Sequence, residues 1–307
     1  MSAEGINIVL SIITAATPLL LASTGELITE KSGVLNLGIE GMMLVGAVIG
    51  FAATVHSGST LVGVAAAIVA GVAMAMVFCV LSLSLLANQV ATGLALTIFG
   101  TGLSALMGTR YVGTALQPLP KLYIPGLSDL PVLGPILFHQ DALVYASFIL
   151  LGGVAWFLYR SHAGLVLRSV GDSHDAAHAI GYPVAGIRYA AAAFGGGMSG
   201  LAGAYMSLAY SPSWSENMTA GRGWIALALV VFATWRPLWL LIGAYLFGSI
   251  MYLSLYLQGL GVHLPSQLIS SLPYLATIVV LVMISRDNAK VRLNAPACLG
   301  KPFHATS

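Results

Sequence analysis

Nine runs of apolar residues, at about 6–22, 34–55, 60–86, 88–109, 142–159, 189–209, 223–235, 237–258 and 267–285, leave this chain little choice of environment. A helix crossing the hydrocarbon of a bilayer needs about 20 such residues. Most of the runs reach that length. The run 223–235 is short, and Arg236-Pro237 parts it from the next, so those two read as a helical hairpin or as one helix with a break. Only 7% of the 307 residues are charged, against roughly 25% in soluble domains. Mean hydropathy is +0.92. A soluble domain is excluded. The expected fold class is all-α, a polytopic transmembrane bundle of about nine or ten membrane helices.

Other classes fall away on similar grounds. A net charge of +2, scattered along the chain, does not suit a nucleic-acid partner. Met1-Ser2-Ala3-Glu4-Gly5 has no basic segment, and no cleavage site follows the first run, which therefore reads as a retained helix. Cys79, in an apolar run, and Cys298, in the polar C-terminal stretch, suggest neither a disulfide nor a metal site. Histidines 162, 174 and 178 share one loop without cysteine or carboxylate at ligand spacing and read as surface residues. There is no GxxxxGK[ST] phosphate loop and no HExxH. The string Gly197-Met198-Ser199-Gly200 matches the GxSG of intramembrane proteases. Its nearest later histidine is His263, in a Gly- and Pro-flanked loop, and the string sits inside a small-residue stripe, so helix packing explains it better. Such stripes recur at four-residue spacing: Gly46 and Gly50; Gly63, Ala67 and Gly71; Gly100, Ser104 and Gly108; Gly196, Gly200 and Ala204. They let helix backbones approach closely in lipid.

Lysine and arginine in short loops set orientation. Arg160, Arg168 and Arg188 mark the loop 160–188, and Arg286, Lys290, Arg292 and Lys301 mark the tail 286–307. An even number of crossings separates the two, so both are expected on the cytoplasmic side and the loop 110–141 outside. Nine crossings would place the N-terminus outside and ten inside; the sequence leaves both open. The domains expected are a membrane unit over 1–285 and a cytoplasmic tail over 286–307.

Two stretches carry chemistry. The first, 25–41, is a glycine-punctuated polar patch between apolar runs, with Glu26, Glu30, Lys31, Asn36 and Glu40. Irregular polar backbone is tolerated in hydrocarbon only inside protein or along a watery path. The patch reads as a broken helix lining a passage for solute, or as a loop between helices. The second, 164–183, reads as a short helix capped by Asp172 or Ser173, with Asp175 in its first turn, Gly181 as C-cap and Pro183 as stop. Two turns of helix are not stable alone, so something should pack on it: in part this chain's own helix ends, in part a second protein docked on Ala176, Ala177 and Ile180; the other reading is a simple connecting helix.

Three segments resemble one family. Asp175-Ala176-Ala177-His178-Ala179-Ile180-Gly181 is similar to the EAA-xxx-G coupling motif of ABC importer permeases, with Asp in place of Glu. Ser32-Gly33-Val34-Leu35-Asn36-Leu37-Gly38-Ile39-Glu40-Gly41-Met42-Met43 resembles the branched-chain amino acid, sugar and nucleoside permeases, most of all the nucleoside importer branch. Gly221-Arg222-Gly223-Trp224-Ile225-Ala226-Leu227-Ala228 resembles the GRGxIALA segment of that branch. The resemblance covers most of 10–285. It implies a multi-pass permease of the bacterial plasma membrane moving a nucleoside inward, with riboflavin or a simple sugar as the alternative cargo. It implies no cofactor in this chain, ATP and Mg being used by a separate ABC ATPase subunit. It also implies a paralogous second permease, giving a heterodimer, and an extracytoplasmic substrate-binding protein. Gly171, Asp172, Asp175, Ala176, Ala177 and Gly181 would couple to the ATPase.

From the residues themselves, Asn36 and Glu40 would share one helical face if the patch were helical, offering an amide and a carboxylate to the solute or capping helices. Asn88 and Gln89 open a long run and face the same path or start a helix. Arg222 costs about 2.5–3.5 kcal/mol at mid-membrane unless a helix mouth or a carboxylate, Glu216 or Glu40, relieves it. Trp214 and Trp224 would stack a base or anchor the interface. Glu26 and Glu30 are expected near the membrane surface, paired locally with Lys31. A different class, a secondary transporter, would use Glu26 or Glu40 as a proton-coupled carboxylate. A membrane enzyme lacks any assembled constellation.

Overall fold

The computed structural model describes residues 3–123, 125–126, 128, 130, 133–259, 266–285 and 294–304. His263, Arg286, Lys290 and Arg292 lie outside the described residues. The described residues are mostly helix. Two isolated antiparallel bridges, Ala115 with Ser213 and Lys121 with Asp141, are the strand-like pairings found among them.

Helix α1 (Ala3–Lys31) runs through the first half of the polar patch instead of ending near residue 22. Its hydroxyls are hidden by bonding back along the helix: Thr17 to the Ile13 carbonyl, Ser23 to Leu19, Thr24 to Leu20. Glu26 and Glu30 are therefore helical and enclosed by the bundle near the inner end of α1, and Lys31 bonds the Asn294 carbonyl rather than pairing with either of them. The break is confined to 32–38. Gly33 turns the chain with φ +87°, and Asn36 Oδ1 accepts from Gly38 N at 2.9 Å in a tight Asx turn. Asn36 is thus in the break and does not share a helical face with Glu40.

Beyond the break come α2 (Ile39–Ser57), α3 (Thr60–Cys79, prolonged by a wide turn over Val80–Ser84) and α4 (Gln89–Gly108). A short α5 (Leu133–Leu137) precedes α6 (Ala142–Arg160), α7 (His162–Asp172) and α8 (His174–Ala179). The remaining helices are α9 (Val184–Tyr205, continued by a wide turn over Met206–Tyr210), α10 (Arg222–Phe232), α11 (Pro237–Gly259) and α12 (Ser266–Ser285). The loop expected over 160–188, with one short helix in it, holds a second helix ahead of that one. It is α7, capped by Ser161, whose Oγ accepts from Gly164 N, and Val166, Leu167 and Val170 form its buried face.

Small residues set the packing at the centre. A Cβ on Gly46 would lie 2.6 Å from Gly200 Cα, one on Gly100 2.6 Å from Gly41 Cα, and one on Gly71 2.9 Å from Gly200 Cα. Helices α2, α3 and α9 thus touch backbone to backbone, as the stripes require. Ser199 serves this packing, its hydroxyl bonded to the Gly195 carbonyl.

Among the described residues six helices are long and apolar enough to cross a membrane: Glu4–Lys31, Ile39–Ser57, Thr60–Ser84, Gln89–Tyr111, Ala142–Arg160 and Pro237–Gly259. Helices α9 and α12, of 22 and 20 residues, have the length as well. Helix α9 is rich in glycine and largely enclosed by α1, α2 and α3. Helix α10, of 11 residues, is half a span. Taking the end that carries 160–188 as inner, α1 starts at the outer end, beside Lys121, and finishes at the inner end, where Gly171 packs on Lys31. Taken that way, helix directions alternate along the described residues, with 211–235 making one passage in two pieces.

Candidate functional site: a helix start held by a carboxylate in mid-membrane

Gly41 packs on Thr97 and Gly100 of α4. Those residues lie eight and eleven positions above Gln89 at the helix's inner end, so Glu40 is about 12–16 Å deep at 1.5 Å per residue. Into the same layer comes the chain from Tyr210, descending without regular helix through 211–221 before α10 begins at Arg222. A helix start has backbone N–H groups without intrahelical partners and a partial positive charge, both expensive in hydrocarbon. Glu40 answers both. One carboxylate oxygen accepts from Thr219 Oγ1 at 2.5 Å and Gly221 N at 2.9 Å, and the other from Gly223 N at 2.6 Å. The carboxylate is buried.

The glycines are dictated by this contact. Gly221 has φ +79°, and a side chain there would collide with the Tyr274 hydroxyl. A Cβ on Gly223 would sit 2.6 Å from Glu40 Cα and from its Oε2. Arg222, between them, does not pair with Glu40 or with the exposed Glu216. Its guanidinium lies 5.0 Å over the Tyr210 ring and donates to the Thr219 carbonyl at 3.1 Å. The expected helix mouth is right, but the carboxylate serves the backbone and the cation rests on an aromatic face.

Beside this knot is a cleft of about 440 Å³, lined by Tyr210, Ser211, Met218, Arg222, Ser254, Gln258 and Tyr274 among others. A second cleft of about 480 Å³, reached by Asn7, Ser11, Thr14, Lys121 and Tyr252, shares Tyr210 and Leu255 with it, so the two adjoin toward the outer end. At the inner end α10 is followed by Trp235, whose Nε1 donates to Glu30 Oε2 at 2.5 Å.

The coupling loop is folded onto the same inner end. Ser173 caps α8 by accepting from Ala176 N, Gly181 takes φ +94°, and Pro183 precedes α9. Asp172, Asp175, Ala176 and Ile180 are exposed. Ala177 is not: it packs in its own chain with Val170, Val184 and Phe303, and Gly171 is buried against Lys31. His174 is also buried, bonded to Arg188, contrary to a surface reading.

Residues 8–285 match the family described as branched-chain amino acid transport system / permease component. The chain belongs to that family. The permease is 43% identical to the "putative glucose ABC transporter permease protein TsgC13" of Haloferax volcanii, over 95% of each chain. It is 32% identical to the guanosine ABC transporter permease protein NupQ of Bacillus subtilis, over 95% of this chain and 98% of that one. The nucleoside ABC transporter permease protein NupC of Lactococcus lactis subsp. cremoris is 29% identical over 90% and 91%. No solved structure is a significant match. The chain is therefore an ABC transporter permease subunit and not an enzyme, a multi-pass protein of the plasma membrane. Its family implies an ATPase partner and a substrate-binding protein.

The permease's other sequence-derived site residues do not gather in one place. Glu40 and Arg222 meet at the knot. Asn36 stays in the break, its Nδ2 3.6 Å from Met42 Sδ. Asn88 caps α4, and Gln89 accepts from Leu35 N at 2.8 Å; both sit at the inner end, beside Gly300 and Pro302 of the tail. Trp224 is half-buried and lines neither cleft, whereas Trp214 is buried against Gly108. Missed altogether were Thr219, Tyr210, Tyr274 and Trp235, which no local pattern marks; the glycine pair around Arg222 was the available signal.

Proposed function

We propose that this permease carries a nucleoside inward by alternating access, driven by an ATPase subunit that uses Mg-ATP, and that it works beside a second, paralogous permease. The observation that carries the cargo class is the lining of the cleft beside the Glu40 knot. Tyr210, Tyr274, Met206, Met218 and Met251 offer flat aromatic and soft thioether surface for a base. Ser211, Ser215, Ser254 and Gln258 offer hydroxyl and amide partners for a ribose. The volume is in the range of about 300–1,000 Å³ usual for small-molecule sites. Glu40 and Arg222 shape this cleft: three donors, from Thr219, Gly221 and Gly223, already occupy the Glu40 carboxylate.

The loop would dock on the ATPase through Asp172, Asp175, Ala176 and Ile180, with Gly171, Ala177 and Gly181 holding its shape. A second reading, a simple sugar, is favoured by the relative named for glucose. Uptake of labelled guanosine into vesicles holding the complete importer, with unlabelled nucleosides and glucose as competitors, separates them. Competition by glucose alone would overturn the nucleoside reading. Uphill uptake by this chain without an ATPase would overturn the mechanism.

A further inference from the structure

The tail lies beyond the stretch that resembles the family, yet 294–304 is tied on two sides. Cys298 N donates to the Gly171 carbonyl at the end of α7 at 2.9 Å, and Gly300 N donates to the Gly33 carbonyl in the break at 3.0 Å. Lys31 Nζ reaches the Asn294 carbonyl at 2.8 Å. The Phe303 ring stands edge-on to His174 and His178, with centroids 5.4 and 5.3 Å away, under α8. The strap therefore joins the coupling helices to the broken segment of the membrane path.

Arg188, at the inner end of α9, ties the same three parts together. It is fully buried. Nε donates to the Ser32 carbonyl at 3.3 Å in the break and Nη1 to the Lys301 carbonyl at 3.1 Å in the strap; Nη2 lies 3.1 Å from His174 Nδ1 at the start of α8. Among the described residues it has no carboxylate in ion-pair contact. A buried cation with no carboxylate in contact is a costly way to fill space, and an apolar side chain would fill it more cheaply. What the guanidinium supplies that no other side chain can is a rigid planar fork reaching three acceptors at once.

We infer that Arg188 and the strap 294–304 form the linkage by which the coupling helices act on the break at 32–38, with Arg188 as a positioning residue for ATP-driven transport. This rests on the permease assignment and is independent of the cargo. The loop α7–α8, the strap and the break then move as one body when the ATPase domains close.

The test uses the complete importer in vesicles and reads solute taken up per ATP hydrolysed, with co-purification of the ATPase as the assembly control. R188K keeps the charge and loses the fork; R188M keeps the bulk and loses every donor. Both are expected to assemble and hydrolyse ATP while uptake per ATP falls by about tenfold, within the range of coupling losses seen when a linking residue is changed. A chain ending at residue 293 removes the strap with Arg188 intact and should give the same loss. Should R188K and the shortened chain keep uptake per ATP, the inference is overturned. Should neither arginine variant nor the shortened chain assemble, the linkage is a folding device only, and the inference fails equally.

Discussion

Replacing Glu40 by glutamine keeps the shape of the side chain and removes its charge, which isolates what the carboxylate does for α10. In its better orientation the amide oxygen still accepts from Thr219 and Gly221. The NH₂ group then faces Gly223 N, which lay 2.6 Å from the oxygen it replaces. One buried N–H loses its acceptor, at about 1–3 kcal/mol. The attraction between a negative charge and the helix start, about 0.3–2 kcal/mol, is lost as well. Together the change is about 1–5 kcal/mol, or a fall in melting temperature of about 2–8 °C in a chain of this size. Glu40→Ala, which strands all three donors, should fall further. Melting of the purified complex in detergent, followed by size exclusion after heating, measures it. A Glu40→Gln protein that melts within about a degree of the parent would refute the claim that this carboxylate holds the helix start.

Three other outcomes are expected. Trp235→Phe removes the donor to Glu30 Oε2, whose other oxygen already lacks one, and should cost about 1–3 kcal/mol; adding Glu30→Gln should recover part of it, and the same melting assay reads both. Ala177→Asp places a charge among Val170, Val184 and Phe303, so it should lower the melting temperature as well as uptake; a drop in uptake alone would mean that Ala177 faces the ATPase. His174 holds its pKa below the ordinary 6.5, first because burial disfavours the imidazolium and then because Arg188 and Lys301 repel it, with Asp175 opposing. Above pH 6.5 the neutral ring carries no penalty; as pH falls below that, the unfolded chain takes a proton that the folded loop resists, and stability is lost down through the folded pKa. The complex should therefore melt lower at about pH 5.5 than at about pH 7.5, and His174→Asn should flatten that difference.

The membrane architecture was legible because hydrocarbon thickness fixes run length, and among the described residues each of the six helices long and apolar enough to cross falls on one of the apolar runs. The end of α1 was not. Glu26 and Glu30 look too polar for a helix interior in lipid, but the inner third of α1 is enclosed by α9, α10 and α7, and enclosure is a property of the bundle. The cost of Arg222 called for a helix mouth or a carboxylate partner and could not choose between them, and the pairing of Glu40 with Gly221 and Gly223 joins residues about 180 positions apart, where no local pattern speaks. The strap was invisible for the opposite reason. It is short and polar, and it holds by backbone donors at Cys298 and Gly300, which every residue but proline possesses.

Helix α10 is anchored at both ends to the two sides of the break: at its start to Glu40 on α2, and just past its end through Trp235 to Glu30 on α1. The distance between the anchors is about 20 Å at 1.5 Å per residue, beyond the reach at which two substitutions ordinarily influence each other. If α10 behaves as a stiff rod between them, losing one anchor lets it tilt, and the second then holds less than it did. Glu40→Gln and Trp235→Phe combined should consequently cost less than the sum of the two alone, by more than the roughly 0.3–0.5 kcal/mol scatter expected of independent sites. The single and double variants, unfolded side by side, give that coupling directly. Simple additivity would show that each anchor fixes only its own neighbourhood and that α10 does not carry movement from the break to the cleft.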